Sequence, residues 1–162
     1  MESTSRTLRE EANQSAPWLF DQAGFEVVQE AYSREVNGAT LTLRSPRLLV
    51  RFERDRGFVS TEVACLTQHP RRWWQADFVL EVAKNLAIRP TSSTFDEGGA
   101  LIRDNLADLS QAMEVDYKSL EPQFERRIYE KADANRRGAR EWADSVMKGS
   151  KPQRKKSFWR FW

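Results

Sequence analysis

Asn37-Gly38-Ala39-Thr40-Leu41-Thr42-Leu43-Arg44-Ser45-Pro46-Arg47-Leu48-Leu49-Val50-Arg51-Phe52-Glu53-Arg54-Asp55-Arg56-Gly57-Phe58, with its continuation to Cys65, is the stretch that decides the fold. Asn-Gly tolerates the two positive φ angles of a type I′ turn, so Asn37-Gly38 predicts a hairpin. After it Leu41 and Leu43 alternate with Thr40, Thr42 and Arg44, and Ser45-Pro46 turns the chain. Leu48, Val50 and Phe52 then share one face, while Arg47, Leu49, Arg51 and Glu53 share the other. Asp55-Arg56-Gly57 reverses the direction again, and Val59, Thr61, Val63 and Cys65 line one side of the next run. Such alternation predicts an antiparallel meander of about four strands, one face apolar and one polar.

Moving outward, the period changes from two to nearly four after Pro70. Trp74, Phe78, Val82 and Leu86 recur at helical spacing, which predicts one helix that covers the sheet. Residues 90–99 collect turn formers, ending in Gly98-Gly99, and predict a loop. Ile102, Leu106, Leu109 and Met113 predict a second helix. Ser119 and Pro122 mark a further start. Leu120, Phe124, Ile128 and Ala132 hold a stripe there that Asn135 interrupts and Ala139, Trp142 and Val146 resume, so one long C-terminal helix is expected. On the N-terminal side, Phe25 to Tyr32 reads as a strand. Ser15, Pro17 and Gly24 punctuate a short helix around Trp18, Leu19 and Phe20. The expected architecture is α+β: a flexible arm or frayed helix over 1–14, one domain over 15–147, and a basic-aromatic tail over 148–162.

The chain has 162 residues, enough for one domain of ordinary size. No apolar run approaches the roughly 18 residues of a membrane span. The polar start Met1-Glu2-Ser3-Thr4-Ser5 lacks the features of a signal peptide, so a cytoplasmic location is expected. One cysteine, Cys65, excludes an internal disulfide and a Cys-rich zinc site. Cys65 and His69 stand four apart, a spacing suited to a helix, but Pro70 argues against a helix there. A core thiol and a loop imidazole are the expected roles. No spacing singles out an acid/base pair, and Gly98-Gly99 lacks the lysine of a phosphate loop. Neither catalytic residues, cofactor nor metal ligands are expected.

The net charge of +2 hides segregation, since residues 118–162 hold 13 basic against 6 acidic side chains. Three groups are candidates for partner binding. The first is the arginine set of the meander, Arg47, Arg51, Arg54 and Arg56, with Arg44 before it and Arg71-Arg72 after it. Arg47 and Arg51 share a face, which allows a positive strip for phosphates or an acidic protein; Glu53, Asp55 and Glu62 also allow a neutralised, solvated face. The second is Trp73-Trp74. On a helix these two point about 100° apart, so one is an interface anchor unless both pack over the sheet edge. The third is the tail, in which Phe158, Trp159, Phe161 and Trp162 follow Arg154-Lys155-Lys156. Rings and cations of this kind suit an anionic membrane surface, a nucleic acid, a pocket on a partner, or the chain's own surface.

Gly24-Phe25-Glu26-Val27-Val28, the run Leu48 to Phe58 with its Arg-Phe-x-Arg-Asp-Arg-Gly turn, and Trp73-Trp74 with Asp77-Phe78-Val79 resemble small bacterial immunity-type proteins associated with polymorphic toxins. The resemblance covers about residues 24–82. It implies a compact α+β binder without catalytic residues that neutralises its partner by occlusion. The expected function is therefore docking on a toxin or defence-system protein, with another protein, encoded nearby, as partner. The alternative is a peripheral membrane or nucleic-acid-associated adaptor that works through the tail.

Overall fold

The computed structural model describes residues 7–33, 38–86 and 94–147. Two compact units divide the chain, Met1–Lys118 and Ser119–Trp162. The expected tail over 148–162 lies outside the described residues.

The first unit is built on a five-stranded antiparallel sheet whose spatial order follows the chain: β1 (Glu26–Ser33), β2 (Gly38–Arg44), β3 (Leu48–Asp55), β4 (Phe58–Cys65) and β5 (Trp74–Gln75). It is the expected α+β meander with one short strand more. Register puts Leu41 beside Phe52 and Thr61, and Leu43 beside Val50, Val63 and Trp74, so these side chains share a face. Three helices pack on it: α1 (Leu8–Ser15) against β2, α3 (Ala76–Lys84) against β4, and α4 (Phe95–Glu114) across β3 and β4. Between α1 and β1, the short α2 (Trp18–Asp21) buries Leu19, and Gly24 turns the chain at φ +65°.

The hairpin turns differ from the expectation in one instructive way. Gly38 pairs with Ser33 in the β1–β2 ladder, so it is a strand residue and not the centre of a two-residue turn; Asn37 lies outside the described residues. The two-residue turn of the sheet joins β3 to β4. Asp55 pairs with Phe58 there, and Arg56 and Gly57 adopt φ values of 50° and 89°, the positive pair that a type I′ turn demands.

Four other expectations are corrected. Residues 8–14 are not a flexible arm. They form α1, which Thr7 opens with a capping box: its hydroxyl accepts from the Glu10 amide at 3.2 Å, and Glu10 accepts from the Thr7 amide at 2.9 Å. Leu8 and Ala12, one turn apart, are buried. Second, Trp74 is a strand residue and not part of the helix stripe. Its backbone pairs with Val63, its indole donates to the Tyr117 hydroxyl at 3.3 Å, and its ring stacks on Phe78 with centroids 6.2 Å apart. Third, α3 ends at Asn85 in the left-handed conformation, which leaves Leu86 exposed.

Fourth, Gly98 and Gly99 are not a loop. They lie buried in the first turn of α4, whose Thr94 cap accepts from the Glu97 amide. A Cβ on Gly98 would overlap Thr61 Oγ1 and stand 3.4 Å from Phe52 Cε1. Glycine here lets the helix backbone sit directly on β4. Phe95 then packs on Phe52 with ring centroids 4.3 Å apart and planes tilted by 33°, and Ile102, Leu109 and Met113 continue the buried stripe. Asn105 departs from helical geometry, with φ −129°, and its side-chain amide donates to the Leu101 carbonyl at 3.0 Å.

Helix α5 (Tyr117–Met147) supplies the described part of the second unit. It is the long C-terminal helix expected, begun two residues before Ser119, with Pro122 inside it and no break at Asn135 or Gly138. Leu120 and Phe124 are buried, whereas Ile128, Tyr129 and Trp142 on later turns are exposed.

Candidate functional site

Helices occupy one face of the sheet, and the functional candidates divide between that face and the other. Thr40 and Thr42 of β2, Leu49, Arg51 and Glu53 of β3, and Ser60, Glu62 and Ala64 of β4 form the second face. Side-chain alternation fixes this set. At its centre Arg51 is clamped. Its Nε donates to Glu62 Oε2 at 2.7 Å, its Nη2 donates to the same oxygen, Glu53 stands 3.8 Å away, and the guanidinium lies 4.4 Å from the Trp73 ring centroid. The planar cation is thus held at its edge by carboxylate and on its face by a π system.

The arginines do not form one strip. Arg47 lies in the turn before β3 and pairs with Glu114 of α4 at 3.6 Å. Arg54 points to the helix side of the sheet, where it forms an ion pair with Glu11 of α1. Arg56 occupies the positive-φ turn position and is exposed, 3.8 Å from Asp55. Only Arg51 of the four reaches the face that helices leave open. The tryptophans separate likewise: Trp74 is buried on the helix side, and Trp73 is half-buried on the open side. Phe158, Trp159, Phe161 and Trp162 lie outside the described residues.

A groove of about 350 Å³ runs beside Arg51. Strand β1 contributes Val28, Gln29 and Ala31, strand β2 contributes Thr40 and Thr42, and Trp73 and Arg71 supply the rest of the lining with Arg51. Val28 has this place because of a β-bulge: Val27 pairs with Leu43 and Gln29 with Thr42, so Val28 is an extra residue in β1. Bulges bend a strand and re-aim its side chains. Tyr32, 58% exposed, and Phe58, 68% exposed, add apolar surface near the ends of β1 and β4. Sequence reading missed Val28, Gln29, Thr40 and Thr42. The alternation of the two threonines with Leu41 and Leu43 was the available signal, but the bulge has no sequence signature here.

Cys65 is buried on β4 with its sulfur 3.3 Å from the Thr67 hydroxyl, and His69 is exposed. Among the described residues no group of three His, Cys, Asp or Glu side chains is placed to hold a metal ion, and no helix is long and apolar enough to cross a membrane. No protein-family model, curated protein or solved structure matches the chain.

Proposed function

We propose that this chain is a non-catalytic binding protein of the immunity or accessory kind, which docks in the cytoplasm on a bacterial toxin or defence-system protein and blocks or regulates it. The observation that carries the reading is the second sheet face, on which Leu49, Ala64 and Thr42 are buried but a clamped Arg51–Trp73 pair borders a groove, while the opposite face is packed by α1, α3 and α4. Pre-ordered arginine and tryptophan side chains lose little freedom on docking, which is why such residues dominate interface energetics. The resemblance of residues 24–82 to immunity-type proteins supplies the partner class. The test is co-elution in size-exclusion chromatography with the products of neighbouring genes, for the native chain and for Trp73→Ala. A complex that Trp73→Ala weakens supports the reading; absence of any complex refutes it.

The second reading, an adaptor acting through residues 148–162, rests on the basic and aromatic composition of that segment. Binding to anionic vesicles and to DNA, compared between the full chain and one ending at residue 147, tests it. Equal binding by both chains removes it.

A further inference from the structure

We infer that the groove on the open sheet face receives an acidic side chain, so that the docking partner presents an Asp- or Glu-bearing segment to Arg71. This rests on the docking reading above and specifies its chemistry. Two of the described residues that line the groove are cations, and they are not equivalent. Arg51 donates from Nε and Nη2 to Glu62 and has Glu53 as a second carboxylate 3.8 Å away. Arg71 is exposed, lines the same groove, and makes no ion pair among the described residues. The remaining polar lining is neutral: Gln29, Thr40 and Thr42 bring an amide and two hydroxyls, all able to donate a hydrogen bond to a carboxylate. Among the described residues no carboxylate lines the groove. Its apolar lining, Val28, Ala31 and the Trp73 ring, fits the methylenes of a glutamate beside the exposed Arg71. A guanidinium and a carboxylate pair through charge-assisted hydrogen bonds, stronger than those between neutral groups.

The experiment uses the full chain with a peptide of about ten glutamates as probe, a lysine peptide of equal length and a single-stranded oligonucleotide as comparisons, and two-dimensional NMR of backbone amides and tryptophan indoles as readout. Saturable shifts of Gln29, Thr40, Thr42 and the Trp73 indole with the glutamate peptide alone are expected. Arg71→Glu should weaken that binding about tenfold or more and Arg71→Gln less, whereas Arg9→Glu, at an exposed position of α1, should leave it unchanged. Three results overturn the inference: no shifts at the groove, equal shifts in Arg71→Glu, or tighter binding of the oligonucleotide at the same resonances. The two claims fail separately. A protein complex that survives Arg71→Glu with undiminished affinity sinks the acidic anchor and leaves the docking reading; glutamate binding without any protein partner does the reverse.

Discussion

Gly98 of α4 touches Thr61 of β4 so closely that no methyl group fits between helix and sheet. The Thr61 hydroxyl is buried there with no hydrogen-bond partner among the described residues. Gly98→Ala should therefore destabilise the first unit by about 1–3 kcal/mol through overpacking. The double variant with Thr61→Ala should recover part of that loss, because the truncation opens the space. Urea unfolding of both variants and the double variant measures the coupling; strictly additive effects would show that the contact is not what forbids a side chain at 98.

Arg56 carries a left-handed backbone conformation without the side chain suited to it. Replacement by asparagine keeps the turn and removes about 1 kcal/mol of strain. A raised thermal midpoint for Arg56→Asn is the expected result. A lowered one would mean that the ion pair with Asp55 outweighs the backbone term.

The N-terminal helix is tied down at both levels of packing and charge. Leu8→Ala should cost about 2–4 kcal/mol, since Leu8 is almost wholly buried. Thr7→Ala should cost about 1 kcal/mol through the lost cap. Glu11→Ala leaves the part-buried Arg54 without its partner from α1, a loss of about 1–3 kcal/mol. Limited proteolysis reads the same tie: native chain should resist cleavage within Leu8–Ser15, and the Leu8 variant should not.

At the open face, the two members of the stacked pair should separate stability from docking. Arg51→Met strands Glu62 and Glu53 without their cation, and should lower stability by more than Trp73→Leu does. The tryptophan change keeps an apolar side chain and forfeits the cation–π contact, about 0.5–1 kcal/mol, with part of the packing of a half-buried ring. Denaturant titration ranks the two, and equal losses would contradict the clamp.

Much of this fold could be read from period and punctuation. Alternation across Leu41–Leu43, Leu48–Phe52 and Val59–Cys65 assigned three central strands to the correct faces, because a half-buried antiparallel strand has no other way to pattern itself. Spacing of four misled at Trp74, where a strand pair with Val63 takes a residue that also fits the following helix stripe. Gly98-Gly99 misled for the opposite reason: their place is set by a neighbour 37 positions away, which no local window contains. Helix α1 buries only Leu8 and Ala12, too few for a periodic signal, although Thr7 and Glu10 spelled its cap. At the candidate site, parity placed Arg51 correctly. Nothing local could reveal that Arg54 meets Glu11 or that Arg47 meets Glu114, since those carboxylates lie far along the chain.

Because the strands stand side by side in the order in which they are synthesised, each hairpin can close as soon as its second strand leaves the ribosome, with short loops and little entropy to overcome. Helix α1 is the exception. It leans partly on β2, close along the chain, and partly on α4, whose start lies some eighty residues further on, so its packing is complete only once α4 has been made.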